Sequence, residues 1–164
     1  MYIHDLNQDQ AEKVLLTGPD TCVIADNKTI RPCVGCFGCW VKTPGRCVIK
    51  DGYEHMGELL GKTTELIIIS KMTYGGFSPF VKNVLDRSIS YIHPYFQIRN
   101  AEMHHQRRYD NVIKIRAFFY GDHITQEEKN TAKSYVEAVC INLDAQFEEI
   151  RFASMDELME GNLC

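Results

Sequence analysis

The sequence predicts an α/β protein in which helices cover both faces of a parallel β-sheet. Strand-like apolar runs alternate with amphipathic, helix-like segments along the chain, and this alternation is typical of parallel sheets. Two of the runs, "ELIIIS" (65–70) and "NVIKIRAFFY" (111–120), are rich in apolar residues, as in strands that are buried on both faces. The length of 164 residues suits one domain, 1–164. We therefore expect a three-layer α/β/α sandwich.

Five strands are expected, and together they form a five-stranded parallel sheet. Their predicted ranges are 2–6, 20–26, 65–70, 111–120 and 144–152. The last range alternates apolar and polar residues, as a half-buried edge strand does. Ligands of such sheets bind outside the carboxyl ends of the strands. The connections 7–9, 27–50, 71–78 and 120–124 are therefore where chemistry is expected.

Helices are expected between the strands, and each begins at a residue whose side chain can accept a first-turn N–H. The predicted caps are Asn7 for a helix over 8–16, Asp51 for a helix through Leu60, Ser78 followed by Pro79 for a helix to about Tyr91, and Thr125 with Glu128 for a helix to about Asn142. A short helix near 154–160 closes the predicted order.

Composition and charge exclude several classes of protein. The net charge of −4 and the pI near 5.8 argue against a nucleic-acid partner. No apolar run reaches the roughly 20 residues of a membrane helix. The start, "MYIHDLNQDQ", lacks a basic region followed by an apolar core, so no signal peptide is expected. A cytoplasmic location follows as the expectation, and there clustered cysteines are more often metal-binding or catalytic than disulfide-bonded.

Four of the seven cysteines fall within residues 33–47, "CVGCFGCWVKTPGRC". One hypothesis is a [4Fe–4S] cluster, because closely spaced thiolates let one loop wrap a small metal centre. Zinc on four thiolates is allowed but fits the spacing less well. The alternative is that the thiols pack as small apolar side chains or carry out thiol chemistry. The cluster hypothesis names Cys33, Cys36, Cys39 and Cys47 as the metal ligands.

Two stretches, "RPCVGCFGCWVKTPGRCVIKDG" and "ELIIISKMTYGGFSPFVKNVLDR", together resemble a known family. The chain is similar to the NAD(P)H-dependent FMN reductase and iron–sulfur flavoprotein branch of the flavodoxin-like superfamily. That branch combines a cysteine loop after the second strand with a Ser-Pro-x-Tyr-x-Gly type loop and a Ser-x-x-x-Lys-x-x-x-Asp-Arg helix. The matching residues here are Tyr74, Gly75, Gly76, Ser78, Lys82, Asp86 and Arg87.

The resemblance implies a flavodoxin-like fold and an FMN-dependent oxidoreductase that passes electrons from NAD(P)H to an unknown acceptor. It also implies a small-molecule substrate or redox partner and a homo-dimer or homo-tetramer. No residue is identified as catalytic. The cofactor-binding residues that it implies are Met72, Thr73, Tyr74, Gly75, Gly76, Phe77, Ser78, Trp40, Tyr120, Gly121 and His123. From the residues alone, Lys82, Asp86 and Arg87 are expected to be surface charges, with Lys82 paired to Asp86.

The chain departs from that family at its first turn. Residues 1–16 contain no glycine, serine or threonine, so the loop that grips the FMN phosphate with backbone N–H groups is missing. Asp5 and Asp9 flank its place, which disfavours an anion. The 19-residue connection 92–110 carries Arg107 and Arg108. One hypothesis is that this connection covers the site or reaches a partner subunit and brings one of these arginines to the phosphate.

Adjacent histidines in the same connection invite a metal interpretation. His104 and His105 point in different directions on a helix or a strand, so two such rings rarely chelate one ion. No metal is therefore expected there.

Three readings of the function follow from these residues. The first is the FMN-dependent oxidoreductase. The second is an iron–sulfur electron carrier or redox sensor built on the cysteine loop. The third is a binding protein that keeps the fold and has lost the flavin together with the phosphate loop.

Overall fold

A computed structural model describes residues 1–161, and its centre is a five-stranded parallel sheet in the order β2-β1-β3-β6-β7. The elements in chain order are β1 (Tyr2–His4), α1 (Gln8–Val14), β2 (Val23–Ala25), α2 (Gly38–Val41), α3 (Met56–Gly61), β3 (Glu65–Lys71), α4 (Pro79–Arg87), a 3₁₀ turn (Ile89–Tyr91), β4 (Ile92–Arg99), β5 (Glu102–Arg107), β6 (Lys114–Tyr120), α5 (Gln126–Leu143), β7 (Gln146–Ala153) and α6 (Met155–Met159). The five predicted strands are all present, and β7 lies at an edge as predicted.

Side chains that cap the helices explain where most of them begin. Asn7 and Gln10 form a reciprocal capping box at α1, and Thr125 and Glu128 form another at α5. Ser78 accepts the N–H of Val81 at the start of α4. These predicted starts are confirmed. None of the described helices is both long and apolar enough to cross a membrane.

The predicted cap of α3 is wrong. The helix begins at Met56, after His55, and no side chain caps it. The Asp51 carboxylate instead accepts hydrogen bonds from the guanidinium of Arg87. Asp51 therefore binds a residue 36 positions away in the sequence and does not cap the nearby helix.

Helices cover both faces of the sheet, and alternation along the strands divides the core in two. On β6, Phe118 and Tyr120 face α1 and α6, whereas Ala117 and Phe119 face α3, α4 and α5. The α1/α6 side is the smaller core. Neighbouring residues of one strand therefore pack against helices on opposite sides of the sheet.

No secondary structure was predicted for the connection 92–110, and most of it forms the antiparallel hairpin of β4 and β5. Asn100 and Ala101 turn the chain with φ values of 51° and 64°. Arg99 and Arg107 both bind the Asp144 carboxylate where α5 ends. The hairpin carries several exposed apolar side chains: Tyr95, Phe96, Ile98 and Met103.

Candidate functional site at the carboxyl edge of the sheet

Strand order reverses between β1 and β3, because β1 leads outward to β2 and β3 leads outward to β6. Such a switch point opens a crevice beyond the carboxyl ends of the strands, which we call the carboxyl edge. Three connections meet there: the turn 5–7 after β1, the loop 72–78 after β3 and the loop 121–125 after β6. Backbone hydrogen bonds of 3.3 Å from Asp5 to Ile69 and of 2.9 Å from Met72 to Tyr120 hold them together.

The loop 72–78 presents an aromatic ring at this edge. Thr73 and Gly76 exchange backbone hydrogen bonds of 3.0 and 2.9 Å, which closes a tight turn. Its tip, Tyr74 and Gly75, has φ values of 50° and 78°. A Cβ on Gly75 would lie 2.7 Å from Cβ of Thr131, so only glycine fits against α5. The Tyr74 residue is 95% exposed and is free to stack on a flat ligand.

The end of this loop is structural. The Phe77 ring is buried and stacks on Phe119 with a centroid distance of 5.0 Å. Ser78 is buried, caps α4 and donates its backbone N–H to Ser70 Oγ at 2.8 Å. Phe77, which was predicted to bind the cofactor, therefore cannot present its ring to a ligand, and the ring fixes the loop to the core. Met72, at the start of the loop, packs partly against the same core.

The loop after β6 brings Gly121 and His123 to the carboxyl edge, and His123 is exposed. Tyr120 differs from the prediction, because its ring is buried on the α1/α6 side and does not face a ligand. Its hydroxyl donates to Asp5 Oδ1 at 3.0 Å. Burial raises the pKa of Tyr120, and the neighbouring Asp5 carboxylate raises it further. The phenol therefore stays protonated and remains a hydrogen-bond donor to Asp5.

The turn 5–7 contains no phosphate loop, in agreement with the sequence. The Asp5 carboxylate accepts the backbone N–H of Lys71, with its two oxygens at 3.2 and 3.0 Å. The capping box already uses the N–H groups of Asn7 and Gln10. Asp9 adds a negative charge to the first turn of α1. The loops 72–78 and 121–125 thus suit the flat ring of a flavin, whereas the turn 5–7 does not suit its phosphate.

Trp40 is another predicted cofactor residue that does not face a ligand at the carboxyl edge. Its indole N–H donates to the Ile92 carbonyl at 2.9 Å, and its ring lies 5.0 Å from His105. Both partners belong to β4 and β5, which follow the carboxyl-terminal end of α4, whereas the loop 72–78 precedes the other end. Trp40 therefore joins the cysteine loop to the hairpin.

The four cysteines line one pocket of about 310 Å³, which we call the cysteine pocket. Cys39 and Cys47 are buried, Cys33 and Cys36 are exposed, and all four are free thiols. Burial raises the pKa of Cys39, and the nearby Cys47 raises it further. Among the described residues, no three His, Cys, Asp or Glu side chains are placed to hold a metal ion. The [4Fe–4S] hypothesis stays a prediction, and it requires a rearrangement of this loop.

Arg87 anchors the cysteine pocket, which the sequence did not reveal. This residue is 1% exposed, and its guanidinium binds Asp51 twice, at 2.7 and 2.9 Å. Its Nε–H donates to Cys47 Sγ at 3.1 Å. Two further bonds reach the carbonyls of Arg31 and Ile49, at 2.8 and 3.1 Å.

The electrostatics of this pair follow from its hydrogen bonds. Burial by itself raises the pKa of Asp51, but hydrogen bonds from Arg87 and from the backbone of Arg31 and Tyr53 lower it to about 2.

The expectation that Arg87 is a surface charge is wrong. The expected pair of Lys82 with Asp86 is confirmed, at 2.6 Å. The Asp-Arg end of the helix motif was the only signal in the sequence for this anchor.

Arg107 and Arg108 do not lie near the carboxyl edge. Arg107 binds Asp144, which joins α5 to the amino end of β7. Arg108 Nε donates to the Ser90 carbonyl at 2.8 Å, beyond the end of α4. The hypothesis that either residue holds a phosphate at this chain's own carboxyl edge is therefore wrong.

Solved structures with the same architecture are found by comparison. The Trp repressor binding protein from Bacillus subtilis aligns with a TM-score of 0.55 at 14% sequence identity, covering 98% of this chain and 91% of that one. The FMN-dependent NADH-azoreductase from Bacillus anthracis, solved in complex with FMN, aligns with a TM-score of 0.54 at 8% identity and the same coverage. No protein-family model matches the chain, and no curated protein sequence matches it either.

This chain has the flavodoxin-like fold. With the hairpin left aside, its strand order is the 2-1-3-4-5 order of flavodoxin-like sheets. The fold predicted from the cysteine-loop and Ser-to-Arg motifs is therefore confirmed. At sequence identities of 8–14%, the likeness to these structures shows the fold of this chain and not its activity.

Proposed function

We propose that this chain is a flavin-dependent oxidoreductase whose flavin ring lies at the carboxyl edge, between the loops 72–78 and 121–125. The observation that carries the proposal is the exposed Tyr74 on a tight turn at the switch point of the sheet. The turn is fixed by Phe77 and Ser78 in the core and by Gly75 against α5. A rigid turn with a free aromatic ring and nearby backbone groups is a suitable platform for a flat, hydrogen-bonding ligand.

The proposed reaction is the transfer of electrons from NADH or NADPH to an acceptor through the bound flavin. The flavin would supply the redox chemistry when bound. The chain's own residues would bind and orient the ring and exclude water from one of its faces. The azoreductase among the structural neighbours is named as FMN-dependent and NADH-dependent, and this supports the same class of donor here.

A titration of the purified protein with flavin, followed by its protein fluorescence and flavin absorbance, tests this proposal. Replacing Tyr74 with alanine should weaken flavin binding about two- to twelvefold, since an aromatic pair contributes about 0.5–1.5 kcal/mol. Tyr95→Ala is the matched control, because that tyrosine is also exposed, at 63%, but lies on the hairpin. Absence of binding by any flavin would disprove the proposal and favour the flavin-less binding protein. Mixing the loaded protein with NADH or NADPH under anaerobic conditions then identifies the donor.

A second candidate is an iron–sulfur electron carrier or redox sensor. The observation that favours it is that four free thiols line one pocket, with Cys47 anchored by Arg87, and a cluster would draw these thiols together by a rearrangement of the loop. Anaerobic reconstitution with iron and sulfide should give about four irons per chain and a broad visible absorption. Cys47→Ser should abolish that absorption, whereas Cys140→Ser, outside the pocket, should leave it intact. Iron content that stays at background in the unmodified chain rejects this candidate.

We also propose that the chain acts as a homo-oligomer. The exposed apolar residues of the hairpin support this, because Ile98 and Met103 are cross-strand neighbours and clustered apolar surface often marks an interface. Light scattering after size-exclusion chromatography measures the mass in solution, and a monomer at micromolar concentration would argue against the proposal.

A further inference from the structure

The β1–α1 turn carries a carboxylate, that of Asp5, at the place where the resembled family has its phosphate-binding loop. Asp5 follows β1 directly, at the switch point of the sheet. Its carboxylate oxygens accept the N–H of Lys71, and one of them also accepts the Tyr120 hydroxyl. Donors from β3 and β6 thus converge on a residue that follows β1. The carboxylate links the ends of these strands through charge-assisted hydrogen bonds.

Among the described residues, the neighbouring cavity offers a phosphate neutral polar side chains and no cation: His4 lines it, and burial lowers the pKa of this histidine, which favours the uncharged ring. The cavity on the other side of this turn, of about 560 Å³, lies between α1 and β2, and no lysine or arginine lines it among the described residues. Its walls include the carboxylates of Glu12 and Asp26. Lys28 Nζ is already paired with Asp26, at 2.6 Å. A phosphate group would therefore meet negative charge on both sides of the turn.

Lys71 is a further cation at the carboxyl edge, and it is weakly placed to bind a phosphate. Lys71 ends β3 and is exposed. A single exposed ammonium gives little binding energy, because water and salt screen it. The backbone N–H of Lys71, which is the better-oriented donor, is the one that Asp5 already occupies.

We propose that the flavin site of this chain accepts an isoalloxazine without a 5′-phosphate, with the Asp5 carboxylate as a built-in substitute for the phosphate anion. The inference rests on the proposed function, because it names the chemical form of the ligand for that same site. The loops 72–78 and 121–125 would hold the ring, and the uncharged sugar-alcohol chain would pass over the turn 5–7. A neutral flavin such as riboflavin avoids the repulsion that FMN meets at Asp5 and Asp9.

The test is a pair of titrations of the unmodified protein, one with riboflavin and one with FMN, at low salt. A site that grips the phosphate favours FMN by about tenfold or more, because one charge-assisted hydrogen bond is sufficient for that ratio. We expect riboflavin to bind at least as tightly as FMN. Tenfold tighter binding of FMN overturns this inference and leaves the proposed function standing. Binding of neither flavin overturns the proposed function itself.

A variant isolates the role of Asp5. Asp5→Asn removes the charge and keeps an acceptor oxygen for the Lys71 N–H. The FMN affinity should rise about tenfold relative to riboflavin, since a repulsive charge next to the phosphate is lost. Asp20→Asn is the matched control: it removes an exposed charge before β2, at the amino end of that strand, and should change the ratio less than about twofold. An unchanged ratio in Asp5→Asn would contradict the role assigned to this carboxylate, and the wild-type titrations stand even if the variant misfolds.

Discussion

Two segments of the chain interrupt the alternation of strands and helices, and each is tied to the rest of the protein by arginine and aspartate. At the cysteine loop, the pair is Arg87, from the end of α4, and Asp51, which follows the loop; their side chains are 0% and 4% exposed. In the hairpin, Arg99 and Arg107 share Asp144, with side chains that are 24%, 37% and 20% exposed. The chemistry is the same in both places, and the difference is the access of water.

That difference in exposure decides how much each Arg–Asp pair contributes to the stability of the fold. Removing one member of a buried pair leaves an uncompensated charge in a poorly hydrated environment. Removing one member of a half-exposed pair leaves a charge that water can solvate. The cysteine loop should therefore depend on its anchor for folding, whereas the hairpin should depend on its anchor only for local order.

The largest effect is expected from Arg87→Met. This change leaves Asp51 buried without its partner and removes the donor to Cys47, so the free energy of unfolding should fall by about 3–5 kcal/mol. Urea unfolding followed by fluorescence measures the loss. A loss below about 1 kcal/mol would show that the buried anchor is no stronger than an exposed pair. Alkylation of Cys47, which is buried, should also accelerate because the loop that covers it loses its anchor, whereas Cys140, whose pKa burial raises to about 11, should stay slow.

Lowering the pH should protonate Asp51 and break its ion pair with Arg87 without a mutation. The pKa of Asp51 is lowered from 3.8 to about 2 in the folded chain, so the folded state favours the ionised form. Its contribution of about 2 kcal/mol is present above pH 4 and is lost as the pH falls from about 4 to about 2. The pH dependence of unfolding in Asp51→Asn should be flatter over that window. Parallel curves for the two proteins would refute the assignment.

A smaller effect is expected from Asp144→Asn at the base of the hairpin. Asparagine tolerates the left-handed conformation of this residue, φ 53°, so the change tests charge and not backbone strain. We expect a loss of about 1 kcal/mol, together with faster amide exchange confined to β4 and β5. A global loss as large as that of Arg87→Met would remove the distinction between the two anchors.

The smallest effect is expected from Asp86→Asn, which breaks the exposed pair with Lys82 on α4. Such helix pairs contribute about 0.3–0.5 kcal/mol, and salt screens them. The difference in urea midpoint from the unmodified chain should vanish in molar salt. A loss above about 1 kcal/mol would mean that Asp86 acts through the cysteine pocket, which it lines, and not through Lys82.

The sequence by itself determined the features that depend on residues close together in the chain: the helix caps, one helical ion pair and the strands. Capping residues stand three positions from the N–H groups that they accept, as at Asn7 and Thr125, and Lys82 lies one helical turn from Asp86. The strand pattern likewise predicted all five strands of the sheet. The absence of a phosphate loop was visible because that loop has its own composition.

Only the tertiary structure decided which polar groups meet across the fold. Arg87 and Asp51 are separated by 36 residues, and Asp5 and Tyr120 by 115, so no local pattern announces either contact. Sequence patterns likewise did not reveal that the rings of Phe77 and Tyr120 face opposite cores, or that Trp40 packs on a hairpin. The physical reason is that burial sets the strength of a charge or a hydrogen bond, and burial is a property of the assembled layers.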